Sequence, residues 1–376
     1  MSAAVYLDYN ATAKVRPEAA RAVADALAGG GNPSSVHAAG RAARSVVDAA
    51  RADVAALAGA ASSAVIFVSG GTEANALGIQ SAVAAGFTRL IVGATEHDAV
   101  RESAATSGLP VETWPVTASG LGDLVWLEAA LANGGCCLVC LMLANNETGV
   151  IQPVAQAAAI VRRAGGWLHV DAVQAAGKIA IDVSALGADT LALSAHKLGG
   201  PQGIGALIAG ERATIMRQQH GGRQEGGRRA GTENVPGIAG FGAAARAAAR
   251  DLPAIADQAA WRDSLAERMR GEGAVVLGEG APRLPQTLCV ATDGFASDLQ
   301  VMALDLAGVM ISAGAACSSG KVKPSAVISE MGQPELAPFS IRISGGWATT
   351  EADWRRCGEA WTDAWRRCAT RRLELV

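Results

Sequence analysis

An α/β fold with a mostly parallel sheet, followed by a second, smaller sheet in the last third of the chain, is what this sequence predicts. Three observations lead there. Short, wholly apolar runs alternate with helical patterns from residue 65 to about residue 250, as strands buried on both faces and joined by crossover helices do. Polar clusters follow directly on those runs, at the strand ends where ligands bind in such sheets. The character of the sequence then changes after an alanine-rich helix, near Gly237 to Arg250. A chain of 376 residues is long enough for two domains.

Taken in order, Pro17 opens a helix that runs towards Leu27 and stops at Gly29-Gly30-Gly31, with proline inside the start and glycine past the end. Gly31-Asn32-Pro33-Ser34-Ser35 is a loop. Val46, Val47, Val54 and Leu57 then fall at helical spacing within a helix from about Ala38 to Leu57. Val65 to Val68 is a short buried strand ending in Ser69-Gly70-Gly71-Thr72. A glycine turn that opens a helix offers backbone N–H groups and the helix dipole to an anion; Thr72 either caps that helix or turns its hydroxyl to a phosphate. Strands at Leu90–Val92, Val111–Trp114, Cys137–Leu143, Trp167–Val170, Thr190–Leu193 and Gly205–Ala209 follow, with helices near Asp123–Leu131 and from Pro153 to Arg163 between them. In the last third, Thr287–Ala291, Gly308–Ile311 and Ser340–Ser344 read as strands of the second sheet, and a helix from Thr350 to about Arg372 closes the chain.

Composition excludes some classes of function. Half of the residues are hydrophobic and the formal net charge is −3, so no electrostatic case arises for nucleic acid or a membrane surface. No uncharged apolar run approaches the length of a membrane span, and the N-terminus carries no basic segment followed by an apolar one. Seven cysteines spread along the chain do not form a disulfide framework; a reducing, cytoplasmic compartment is expected. Cys136, Cys137 and Cys140 lie at or in an apolar strand whose side chains alternate in direction, and although Cys137 and Cys140 have metal- or redox-like spacing, buried packing is expected. The glycine- and arginine-rich run from His220 to Thr232 is short and non-repeating; an ordered loop near a phosphate or a subunit boundary suits it better than an RNA-binding tail.

Lysine is scarce, and Lys197 stands out among Lys14, Lys178, Lys197, Lys321 and Lys323. It follows a strand directly, beside Ser194 and His196 and ahead of Gly199-Gly200-Pro201. A lysine placed to reach an internal pocket loses solvation and acquires a lowered pKa, which frees its amine to form a Schiff base. An ordinary lysine at a strand end would reach back to solvent instead.

Several stretches together resemble the cysteine desulfurases, pyridoxal-phosphate enzymes of the class V aminotransferase group. They are Tyr6-Leu7-Asp8-Tyr9-Asn10-Ala11-Thr12, Gly31-Asn32-Pro33-Ser34-Ser35 with His37, Ser69 to Asn75, Thr95-Glu96-His97, and Asn145-Asn146-Glu147-Thr148-Gly149. They continue with His169-Val170-Asp171-Ala172-Val173-Gln174, Ser194-Ala195-His196-Lys197, Gly231 to Pro236, and a small-residue stretch carrying Cys317 between Gly314 and Gly320. The order and coverage match along nearly the whole chain, and the cysteine stretch resembles that of the branch with the longer loop, which includes the housekeeping and nitrogen-fixation desulfurases. Ala13 and Ala315 stand where a threonine and a serine are common, and the tail after Arg342 is short for some housekeeping members.

The resemblance implies the fold-type I pyridoxal-phosphate transferase fold. A large domain of residues 12–251 would hold a seven-stranded, mostly parallel sheet, and residues 1–11 with 252–376 would form a smaller α+β domain carrying the Cys317 loop. It implies that Lys197 carries the cofactor and acts as base, that Asp171 pairs with the pyridine nitrogen, and that Gln174 binds the ring hydroxyl with Asn146 nearby. His97 would stack on the ring. Gly71, Thr72, Ser194 and His196 would take the phosphate, with Thr232 reaching across from a second subunit. Arg342 would take the substrate carboxylate, assisted by Asn32 and Asn10, and Cys317 would accept sulfur from L-cysteine as a persulfide. A homodimer, an iron–sulfur scaffold or other sulfur acceptor as partner, and no bound metal are implied as well. A selenocysteine lyase, a cysteine β-lyase, or a weakly active scaffold of a sulfur-assembly complex are the alternatives on the same fold.

Overall fold

In the computed structural model, residues 4–314 and 324–374 are described. The strands in chain order are β1 (Val5–Tyr6), β2 (Val65–Val68), β3 (Arg89–Gly93), β4 (Val111–Trp114), β5 (Cys137–Met142), β6 (Trp167–Asp171) and β7 (Thr190–Ser194). They continue with β8 (Gly205–Ala209), β9 (Val275–Val276), β10 (Thr287–Ala291), β11 (Val309–Met310), β12 (Ser312–Ala313) and β13 (Ser340–Ser344). A seven-stranded sheet has the order β2-β8-β7-β6-β5-β3-β4. Only β8 runs against its neighbours; the others are mutually parallel, so their carboxyl ends share one edge. Every residue of β5 is buried. Cys137, Val139 and Leu141 face one core and Leu138 and Cys140 the other, which is why the strand reads as a continuous apolar run. Cys137 and Cys140 are core residues, but Cys136 is not: it precedes the first residue of β5 and is exposed.

The smaller sheet has the antiparallel order β12-β13-β10-β9. It packs against the helices Leu252–Gly271 and Glu351–Glu374 around its own core, which includes Leu288, Ile341, Trp354 and Trp361. The N-terminal segment contributes Val5 and Leu7 to this core. One expectation needs correction. Residues 308–311 do not form a strand of the second sheet: β11 pairs in parallel with β1, and the chain enters the second sheet only at β12. The amides of Val5 and Leu7 take the carbonyls of Gly308 and Met310, so the N-terminal strand occupies that edge. The 20-residue helix Leu252–Gly271 carries no clean apolar stripe, since its buried face includes Gln258 and Arg262, and it does not announce itself in the sequence.

The glycine- and arginine-rich loop is held to the large sheet by ion pairs. Glu225, buried and with φ 49°, accepts from Arg51 at 2.7 and 2.8 Å and from the Phe67 amide at 3.0 Å. Arg229 pairs with Glu73 at 2.8 Å. A carboxylate taken out of water is retained only with such partners.

Candidate active site

The parallel strands deliver a set of polar residues to one edge. Gly71 and Thr72 follow β2, His97 follows β3, Asn146 follows β5, Asp171 ends β6, Ser194 ends β7, and His196 and Lys197 lie in the 3-10 turn after it. With Gln174 these residues line one cavity of about 230 Å³, whose remaining lining is Ala99, Met142, Ala144 and Val173. Larger recesses on the surface bring together none of this chemistry.

Lys197 Nζ donates to two backbone carbonyls, Asn10 at 2.7 Å and Ala11 at 2.9 Å. Burial, and secondly Arg342, bring its amine down to about 8, so a useful fraction is unprotonated near neutral pH. Asp171 is buried. Its Oδ2 accepts from Asn75 Nδ2 at 2.7 Å and its Oδ1 from the Val173 amide at 2.9 Å; burial raises its carboxyl above the ordinary value, and those two donors oppose the rise. Asn75 in turn meets His169 Nε2 at 2.9 Å, and His169 Nδ1 meets Thr190 at 2.8 Å. This relay fixes the carboxylate from behind. Gly78 permits it: a Cβ there would stand 2.7 Å from the His169 ring. Sequence reasoning gave Asn75 and His169 no role, although both stand in the stretches it singled out; only the helix-to-strand packing joins them.

His97 caps the helix Asp98–Ala105, its Nδ1 accepting from the Ala99 amide at 3.0 Å, which leaves Nε2 for the cavity side. The helix Gly71–Ala84 has Gly70 at its N-cap, so no side chain caps its first amides, and Thr72 lies in its first turn. A Cβ on Gly71 would stand 2.9 Å from Val173 and 3.5 Å from Ser194, so a glycine is what lets this helix start sit against the ends of β6 and β7. His196 Nδ1 lies 3.1 Å from Thr12 Oγ1, and burial lowers its ring to about 4, so it is neutral at physiological pH. Beneath Asp171, the buried Glu96 accepts from the Met142 amide, and its Oε2 has no partner. Burial, then the neighbouring Asp171, push its carboxyl well up.

Other expected site residues lie outside the lining. Asn10 is buried and occupied: its Nδ2 donates to the Asn146 carbonyl and to Thr287 Oγ1, and its Oδ1 accepts from Lys178. Arg342 is 2% exposed and stands behind Asn146, donating to that residue's carbonyl at 3.2 Å and to Asp8 at 2.8 Å; its Nε is buried without a partner. Asn32 is exposed in its loop, and Thr232 lines a separate recess with Ser69, Glu225 and Arg229. Cys317 lies outside the described residues. The borders of its segment are placed, and both meet Glu147: Ser325 Oγ donates to Glu147 Oε2 at 2.5 Å, and a Cβ on Gly314 would stand 3.0 Å from the same atom.

Comparison with known proteins bears on the same edge of the sheet. Residues 5–356 match the family model "Aminotransferase class-V". The chain is 44% identical to a cysteine desulfurase of Cereibacter sphaeroides over 93% of this chain and 92% of that protein. It is 37% identical to the cysteine desulfurase IscS of Dictyoglomus turgidum, over 94% and 92%. Among solved structures, a NifS-like protein from Rickettsia africae superposes with a TM-score of 0.87 at 30% identity, covering 96% of this chain and 99% of that one. Pyridoxal phosphate fits the donor set of the cavity: an amine for its aldehyde, a buried carboxylate for its ring nitrogen, and helix-start amides with uncapped hydroxyls for its phosphate. On this accord of family match and site chemistry, the chain belongs to the class-V aminotransferase family of pyridoxal-phosphate enzymes and, within it, to the cysteine desulfurases.

Proposed function

We propose that the chain converts L-cysteine to L-alanine and takes the sulfur as a persulfide on Cys317. The observation that carries this reading is Lys197, a half-buried amine lowered to about 8, lining one cavity with the buried carboxylate Asp171. Pyridoxal phosphate, when bound, supplies an electron-poor ring that accepts the electrons of the substrate Cα–H bond and makes the substrate sulfur electrophilic. Lys197 would hold the cofactor and then move the Cα proton. Asp171 would hold a proton on the ring nitrogen. Gln174, with Asn146 near it, would donate to the ring oxygen, and His97 would stack on the ring and move protons. Gly71, Thr72, Ser194 and His196 would take the phosphate. Arg342, with Asn32 and Asn10, would receive the substrate carboxylate. The Cys317 thiolate attacks the substrate sulfur: the carbon–sulfur bond breaks, a sulfur–sulfur bond forms, the carbon gains a proton, and alanine leaves.

A homodimer belongs to this reading. What supports it is Thr232, which within one chain lines a recess away from the cavity and would join the phosphate site of a second copy. The reading also divides the chain into residues 12–251 and residues 1–11 with 252–376, supported by the two separate cores. The sulfur would pass to an acceptor protein such as an iron–sulfur scaffold, in the cytoplasm. Among the described residues no helix is long and apolar enough to cross a membrane.

The test is product analysis with L-cysteine and a thiol reductant. Equal alanine and sulfide, both lost in Cys317→Ser and in Lys197→Ala, is the expected result. Pyruvate with sulfide that survives Cys317→Ser would mean β-elimination and overturn the sulfur-transfer step.

A further inference from the structure

Lys178 is a second amine near the cavity, and this one is fully buried. It is 6% exposed, and burial, then Lys197 and Arg342, press its pKa well below the ordinary lysine value. Among the described residues no carboxylate is bonded to it. Its Nζ donates to Gln174 Oε1 at 2.6 Å and to Asn10 Oδ1 at 3.2 Å. Placing an ammonium-bearing side chain deep in a core without a counter-charge is costly, and nothing in the reading above uses it.

What these two bonds accomplish follows from the atoms at their far ends. A carboxamide can turn over and exchange its donor and acceptor. Gln174 cannot do so freely here. Its Nε2 faces the Asn10 backbone carbonyl at 2.9 Å, which only accepts, and its Oε1 faces the Lys178 amine, which donates. With one N–H on that carbonyl and Oε1 held by Lys178, the second N–H of Nε2 is the donor that Gln174 can offer to the cavity it lines. The same amine, with Gln286 Nε2 at 3.4 Å, holds the Asn10 side-chain oxygen, and the Asn10 backbone carbonyl accepts from both Gln174 and Lys197. One buried amine thus touches both residues that meet at the carbonyl holding Lys197.

We propose that Lys178 is a positioning residue: it locks the Gln174 carboxamide with an N–H towards the cofactor oxygen and clips Asn10 so that its carbonyl holds Lys197. This rests on the reading of the cavity as the cofactor site with Lys197 as its anchor. An N–H donor at that oxygen favours the cofactor form with one proton fewer, so its loss lets the proton persist to higher pH. The charged groups around the anchor are Asp171, Asp8 and Arg342 acting on Lys197, Lys197 and Arg342 acting on Lys178, and Lys197 and Lys178 acting on the neutral His196; of these the variants that follow alter only Lys178, and Gln174→Met alters none.

The experiment is a pH titration of the cofactor absorption band in the loaded, full-length protein. Lys178→Met and Gln174→Met should each move the midpoint up by about one pH unit, and the double variant should move it no further than either alone. Lys178→Gln keeps a polar group to support folding but is one bond too short to hold both partners, and it should behave as Lys178→Met does. An unmoved midpoint in any folded Lys178 variant, with Gln174→Met shifted, would reduce Lys178 to a structural residue and overturn the proposal; an unmoved midpoint in Gln174→Met would overturn it as well. Failure of the underlying reading has a different signature: the same pH-dependent band would then survive in Lys197→Ala.

Discussion

The two sheets contribute to the cavity in opposite ways. The parallel sheet places its residues on adjacent strand ends, and each is held by bonds that do not need the cavity filled: Asp171 by Asn75 and Val173, His97 by its own helix, Lys197 by two carbonyls. The antiparallel sheet sends one described cation, Arg342, and it arrives already committed to Asp8 and to the Asn146 carbonyl. On the proposed reading, cofactor capture belongs to a pre-formed half, whereas Arg342 would have to share or exchange a partner to take the substrate carboxylate, drawing on contacts that cross between the sheets.

The sharpest way to break this division is at Asp171. Asp171→Asn keeps the shape but removes the charge that, on the proposed reading, would hold the ring nitrogen protonated. We expect loss of turnover by about a thousandfold, a magnitude typical of a removed electrostatic group, with cofactor content unchanged. Retained turnover would show that the carboxylate serves only the Asn75–His169 relay. Next in size is Arg342→Lys, which keeps a charge but not the fork that grips a carboxylate. KM for cysteine should rise about 10- to 100-fold with kcat nearly kept. A fall in thermal stability with KM unchanged would instead make the Asp8 pair the whole role of Arg342.

The pre-formed half was also the legible half. Its residues follow apolar runs at strand ends, and period and placement alone identify Asp171, Ser194, His196 and Lys197 as a group facing one edge. The polar groups behind them were not legible. Nothing in the spacing of Asn75, His169 and Thr190 predicts that a helix residue will bond a strand histidine, because that contact depends on the approach Gly78 permits. Lys178 reads as an ordinary lysine four residues after Gln174, and only its burial reveals it. In the second half, the apolar residues of β11 give no hint that the first residues of the chain pair with it, so the pattern alone puts it in the second sheet. Arg342 could be read as a strand residue with a ligand role, but its partner Asp8 lies 334 positions away.

A contact between the halves gives a smaller effect. Glu147 belongs to the loop after β5, yet its carboxylate receives Ser325 at one border of the Cys317 segment and packs on Gly314 at the other. Burial raises its carboxyl, and Ser325 opposes the rise. Cys317 follows Gly314 by three positions in the sequence, so the contacts that hold this border are expected to matter for sulfur transfer. Glu147→Ala should slow alanine formation about tenfold while the cofactor spectrum and its change on adding cysteine are kept. Ser325→Ala should do the same, and the pair should not add. Normal rates in both would show that the borders are fixed by other contacts.

The smallest expected effect tests whether the two halves communicate at all. In the cofactor-free protein the Lys197 amine titrates at about 8, chiefly through burial and secondly through Arg342. Capture of pyridoxal phosphate requires the unprotonated amine, so its rate should rise with pH through about 8 rather than through the ordinary lysine value. Arg342→Met removes the nearby positive charge and leaves Asp8 without its partner; both changes favour the protonated amine. The midpoint should then move up, by less than about one unit, since Arg342 is the lesser cause. Arg342→Lys keeps the charge and should leave the midpoint in place even as it raises KM. A midpoint that ignores Arg342→Met would show that burial within the parallel half alone sets the reactivity of Lys197, and that the second half acts on the substrate and not on the anchor.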